Sequence, residues 1–239
     1  MASLSSMQME VDGWIKQHPF GYFDADGLCK KSEEEIGEAK LAVHKLISEK
    51  RELNNSIGTH IPASKNLAIE NCRKELALEL GDILFALCCL SNKYEFALEK
   101  PYYSFVKYRS TKLEKFLDHV VYTITGKHRL LPPDGRSKYP GDYPDIKESY
   151  SELFKRLQFD ADILRTFVIP NEELLMHPPI GKEATVQKIR NNILGCLMLF
   201  LHDLVRLSHK DLFDLESCFA ATMEKNNKRA ENNYKKEKK

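Results

Sequence analysis

Glu34, Glu35 and Glu38 crowd one short stretch, Glu34-Glu35-Ile36-Gly37-Glu38, and a second stretch, Glu79-Leu80-Gly81-Asp82, answers it with two more carboxylates. Residues three or four apart share one face of an α-helix, so each stretch places its acids on one side. Two such faces brought together repel unless a cation joins them, and a donor set made only of oxygens suits a hard divalent ion. Mg²⁺ is the expected ion, with Mn²⁺ as a substitute.

The surrounding apolar residues supply the helices that must hold these acids. Leu76, Leu80, Ile83, Leu84, Leu87 and Leu90 recur at helical spacing around Glu79 and Asp82, and Ile36, Ala39, Val43, Leu46 and Ile47 do so around the first cluster. Carboxylates at the edge of such faces lose part of their hydration, which raises their pKa unless a positive ion compensates.

Taken along the chain, the same periodicity predicts an all-α protein. An amphipathic helix over 3–17 carries Leu4, Met7, Val11, Trp14 and Ile15 inward and stops near Pro19 and Gly21. A loop with Phe20, Tyr22 and Phe23 follows, whose aromatics either stack on a base or plug the end of a bundle. The first acidic helix is expected over about 28–52, capped by Asp24 or Asp26; Ser32 with Glu35 offers an alternative capping box that would divert Glu35 from a metal. A polar turn over 54–64 leads to a long helix over 65–100, ended by Pro101. Another helix is expected over 102–125, then a Pro/Gly-rich, locally basic segment over 126–145 that reads as a linker or a lid. Helices are expected again over 147–168, 182–208 and 212–234, with breaks at Pro170 and Pro178-Pro179. This divides the chain into an acidic unit (1–100), a helix with connector (101–145) and a second helical unit with a basic tail (146–239). Setting Gly195 on Gly81 makes the second unit readable as a diverged repeat in which Ile193 and Cys196 replace Glu79 and Asp82.

With 239 residues and 42% hydrophobic content, the chain can bury a substantial core. Its 36 Lys and Arg nearly balance its 35 Asp and Glu, so no net field recommends a nucleic-acid partner. The longest apolar run, Ile193 to Leu201, is about half of the ~20 residues a membrane span requires, and residues 1–12 lack a secretory pattern. No membrane partner is expected. The six cysteines form no C-x-x-C pair and read as free buried thiols, which points to a cytoplasmic setting.

The tract 9–100, with Glu10-Val11-Asp12-Gly13-Trp14-Ile15, Tyr22-Phe23 and the two acidic stretches, resembles the MazG-like all-α nucleoside triphosphate pyrophosphohydrolases, whose relatives include dCTP pyrophosphatases and dimeric dUTPases. The resemblance rests on an E-E-x-x-E helix followed by an E-x-x-D helix in that order. It implies a MazG-like helical bundle and Mg²⁺-dependent hydrolysis of a nucleoside or deoxynucleoside triphosphate to the monophosphate and pyrophosphate. By position it implies Glu35, Glu38, Glu79 and Asp82 as the metal ligands, with Glu34 as a further ligand or the residue that orients the attacking water, and it implies a homodimer or higher homo-oligomer. Substrate contacts are expected from Trp14, Tyr22, Lys31, Asn92 and Lys93. Lys225, Asn226 and Arg229 join them, because Asn226 to Tyr234 is similar to the N-x-x-R-x-x-x-x-Y tail of dimeric dUTPases; a solvated basic helix end is the alternative. Two rival functions are a helical interaction protein whose acidic faces bind basic partners, and an HD-type metal phosphohydrolase built on His202-Asp203 with His177 upstream and Asp211 or Asp214 downstream. A glycine-rich phosphate loop is absent, which argues against a kinase or ATPase motor.

Overall fold

The computed structural model describes residues 3–18, 21–55, 63–107, 146 and 148–237, and those residues form helices joined by short turns, with no strand among them. α1 spans Leu4–Lys16, α2 Ala25–Asn55, α3 Ala63–Lys93 and α4 Glu99–Lys107. α5 spans Tyr150–Val168 and runs through a 3₁₀ turn at Ile169–Asn171 into the short α6, Glu172–Met176. α7 (Glu183–Lys210) and α8 (Leu215–Glu237) complete the chain. The expected all-α bundle is therefore present. Among the described residues no helix is long and apolar enough to cross a membrane.

The helix starts follow from local chemistry. The Ser3 hydroxyl accepts from the Ser6 amide at 3.1 Å and caps α1. Asp24 caps α2: its Oδ1 accepts from the Gly27 amide at 2.7 Å, so the helix begins at Ala25, ahead of the expected Leu28. Ser32 is not a cap. It lies inside α2 and donates to the Leu28 carbonyl at 3.1 Å, which leaves Glu35 for other work. Ser149 and Glu152 form a reciprocal capping box at the start of α5.

α3 ends earlier than its periodicity suggests. Glu95 adopts φ 58°, and the Phe96 amide donates back to the Ser91 carbonyl at 2.8 Å, a left-handed terminating turn. Pro101 then sits in the first turn of α4, where its missing N–H costs nothing, rather than stopping a helix over 65–100. The helix expected over 102–125 is described only as far as Lys107, and the remainder of it, the 126–145 segment and Phe20 lie outside the described residues.

α3 is the axis of the bundle. Leu76, Leu80, Ile83, Leu84, Leu87 and Leu90 are all buried, and α1, α2, α7 and α8 pack around it. Such all-round burial is why its apolar residues outrun a single stripe. α2 runs antiparallel to it, as the Lys45–Glu75 pair at 2.5 Å and the Lys65–Glu52 pair at 3.7 Å require. α5 packs on α2 and α7, and Arg165 ties it to Asp26 at 2.8 Å and Glu33 at 3.2 Å on α2. The elements read as a second unit thus pack directly on the first and share its core.

α8 approaches α3 more closely than side chains would permit. A Cβ on Gly81 would collide with the Cys218 carbonyl oxygen and the Thr222 hydroxyl, and would stand 2.8 Å from the Cys218 carbonyl carbon. The Thr222 hydroxyl donates to the Leu78 carbonyl at 3.1 Å and locks the same contact. Replacing Gly81 by Ala should therefore push α8 off α3 and lower stability by about 1–3 kcal/mol, the usual cost of overpacking. Thermal unfolding followed by circular dichroism measures this; an unchanged midpoint would show that the close approach is dispensable.

Candidate metal centre and adjoining cavity

The antiparallel pairing of α2 and α3 brings Glu35 opposite Glu79 and Asp82, and carboxylate oxygens from these three residues lie within 4.8 Å of one another. Glu35 is 4% exposed and Asp82 9%. The compensation within the protein is incomplete. Lys31 reaches Glu35 at 2.6 Å from one turn earlier on α2, and Lys225 of α8 pairs with Asp82. Glu35 Oε2 and Glu79 Oε2 are buried and accept no hydrogen bond. Burial, then the Asp82, Glu38 and Glu35 charges, push the Glu79 carboxyl up to about 7, against a weaker opposing pull from Lys225. Burial likewise raises Glu35, with Lys31 opposing and the Asp82 and Glu38 charges adding to the rise.

A donor set of three carboxylates with two orphaned buried oxygens fits a hard divalent cation, since it supplies the ligand type and the excess negative charge such an ion neutralises. Glu34 and Glu38 lie outside this cluster. Both are exposed, and Glu34 is engaged by Lys31 at 3.1 Å. Glu38 remains close enough for its charge to raise both Glu35 and Glu79.

A cavity of about 290 Å³ opens beside the acids. Glu35 and Asp82 form part of its wall, and of the expected substrate contacts Trp14, Tyr22, Lys31, Lys225, Asn226 and Arg229 line it. Trp14 stacks against His18 with ring centroids 3.9 Å apart and meets Phe85 edge-on at 5.6 Å. Tyr22 is held at the cavity by donating its phenol to Asp12 at 2.9 Å; burial raises its pKa, and the Asp12 carboxylate adds to that effect. The result is an aromatic chamber with acids on one wall and cations beside them.

Two expected contacts, Lys93 and Asn92, do not line the cavity and are engaged by other helices. Lys93 donates to the Phe23 carbonyl at 2.7 Å and pairs with Glu172 at 2.8 Å, so it joins α3 to the 21–24 loop and α6. Asn92 exchanges hydrogen bonds with Gln8, donating to its carbonyl at 2.7 Å and accepting from its amide at 3.0 Å, and so ties α1 to α3. Both act on the scaffold around the cavity. In the other direction, His18, Phe85 and Cys89 line the cavity without having been singled out. The signal for Phe85 was present, because i+3 from Asp82 places it on the acidic face.

The carboxylates of the HD-type rival are committed elsewhere. Asp203 pairs with Arg156 at 3.4 Å and with Arg206 at 3.9 Å, in a buried group that also joins Glu148 to both arginines. Asp211 is held by Lys50 at 2.9 Å and by the Tyr150 hydroxyl, and Asp214 caps the start of α8 through Ser217. All six cysteines are free, as expected.

No family model matches this chain, and no solved structure does. Over 100 residues it is 30% identical to the uncharacterized protein YpjD of Bacillus subtilis (strain 168), a match that covers 42% of this chain and 77% of that one.

The Glu79 shift fixes a pH dependence. Its folded pKa, about 7, stands above the ordinary 4.5, so in the metal-free protein the Glu79 contribution to stability is present in full below about pH 4.5 and is lost as pH rises through 7. The Glu79→Gln variant should therefore melt above the metal-free wild type at pH 8, with the difference vanishing near pH 4.5. Melting curves in EDTA across this range test it, and parallel profiles would contradict it.

Proposed function

The chain belongs to the family of the Bacillus subtilis protein YpjD, and because that relative carries no assigned activity we propose a function from the site itself: Mg²⁺-dependent hydrolysis of a nucleoside or deoxynucleoside triphosphate to its monophosphate and pyrophosphate. The observation that carries this reading is the pair of orphaned buried oxygens, Glu35 Oε2 and Glu79 Oε2, in the acidic cluster between α2 and α3, whose Glu35 and Asp82 also line an aromatic cavity. The resemblance of the two acidic stretches to MazG-like enzymes supports it independently.

Each wall of the cavity has a part in this reaction. Glu35, Glu79 and Asp82 would hold the cation, with Glu38 as the next carboxylate within electrostatic reach. When bound, the cation would neutralise phosphate charge and make a water at the site more acidic. Trp14, His18 and Phe85 offer ring faces and edges to a base, and the apolar lining excludes water around it. Lys31, Lys225 and Arg229 supply positive charge for the phosphates. Nothing in this arrangement calls for a covalent nucleophile; positioning and charge neutralisation suffice for phosphoryl chemistry. The role in the cell would be nucleotide-pool sanitation or dNTP control, in the cytoplasm, and the enzyme would act as a homodimer or larger assembly.

The test is a panel of NTPs and dNTPs incubated with and without Mg²⁺ and resolved by anion-exchange chromatography. Monophosphate plus pyrophosphate should appear only with the metal. Glu35→Gln and Asp82→Asn should each lower the rate by more than the roughly 10–100-fold that loss of an outer-shell partner costs a metal site. Diphosphate plus orthophosphate, or undiminished turnover in both variants, would reject the reading. No product from any nucleotide would favour an interaction protein with an acidic binding face.

A further inference from the structure

Lys225 occupies a position that the proposed reaction does not by itself explain. Its ammonium is paired with Asp82, a residue of the candidate metal centre, yet the same side chain lines the cavity together with Asn226 and Arg229. The backbone beneath it is fixed. One turn earlier, Thr222 is bonded to the Leu78 carbonyl, and the Gly81 contact clamps Cys218 and Thr222 to α3. What remains free to move is the side chain, a point charge on a flexible four-carbon stem, 24% exposed on the cavity side. Lys31 is committed differently: it is 44% exposed and bridges Glu34 and Glu35 on its own helix, so its charge is shared with a carboxylate outside the cluster.

We propose that Lys225 is a positioning residue displaced by the cation: it neutralises Asp82 until a divalent cation takes that carboxylate, and its ammonium then turns to the phosphates of the ligand. This rests on the cation-dependent reading above and adds to it a coupling between the two binding events. An ammonium and a divalent ion drawn to the same carboxylate repel each other, so the cation binds against Lys225. A phosphate ligand, conversely, finds Lys225 occupied until the cation has arrived. Arg229, one turn further along α8 and on the same face, is exposed and receives the phosphates beside it.

The experiment uses the full chain and two binding measurements. Calorimetric titration of metal-free protein with inorganic pyrophosphate compares the wild type, Asp82→Asn, Lys225→Gln and the double variant. Freeing Lys225 by Asp82→Asn should tighten pyrophosphate binding about tenfold, the scale of one charge-assisted hydrogen bond. The same Asp82→Asn change made on Lys225→Gln should give no comparable gain. An equal gain in both backgrounds would mean that only the general field had changed and would overturn the proposal; no gain in either would do the same.

Titration with Mn²⁺, read by electron paramagnetic resonance of the free ion, compares wild type with Lys225→Gln. Removal of the competing ammonium should tighten Mn²⁺ binding about tenfold. Equal or weaker binding in the variant, with the wild type still binding, rejects the role of Lys225 alone. No Mn²⁺ binding in either protein rejects the metal centre and the proposal with it. Lys225→Met, which keeps the apolar stem, should behave as Lys225→Gln does and guards against an effect of lost packing.

Discussion

Like charges forced together across the α2–α3 interface are the constraint on which the rest of this molecule depends. At a separation of 4.8 Å, two ionised carboxylates repel by about 3 kcal/mol at an effective dielectric constant of about 20. Three of them share this site, and the protein meets them with two lysines and leaves two oxygens unpaired. A fold selected only for stability would separate these groups or replace them, since apolar residues of similar size pack at least as well. That energetic deficit is what a bound cation would relieve.

The scaffold is arranged to maintain that deficit. α3 is enclosed by four other helices, so Glu79 and Asp82 cannot move away from Glu35 without disrupting the core. Gly81 lets α8 lie against the α3 backbone one residue from Asp82, and this places Lys225 within reach. On the far side, Arg165 and Glu172 hold α5 and α6 to the start of α2 and to Tyr94, which fixes the loop that carries Tyr22. Lys93 and Asn92 complete this bracing. The cavity wall is therefore preorganised by contacts that never touch its contents.

The acids themselves were legible because they follow local rules: i, i+3 and i+4 spacing places Glu79 with Asp82 and sets Glu35 on the inner face of α2. Glu34 and Glu38 obey the same spacing yet point to solvent, because only the packing of α3 and α5 decides which edge of the acidic face is covered. The end of α3 was not legible, since its left-handed residue is Glu95 where a glycine would have announced the stop. Leu212 terminates α7 in the same unannounced way. The partners of Lys93 and Asn92 were not legible, because Glu172 and Gln8 engage them from other helices. Lys225 was read as a contact for phosphate. Its pairing with Asp82 depends on the helix approach at Gly81, which no periodicity encodes.

The central claim, that a divalent cation joins α2 to α3 at Glu35, Glu79 and Asp82, is tested most directly by crystals grown or soaked with Mn²⁺ and measured for anomalous scattering. The account predicts a strong anomalous peak within coordination distance of oxygens from all three residues, at about 2.0–2.4 Å. A map with no peak between these helices, or with its peaks only at surface carboxylates, would contradict it.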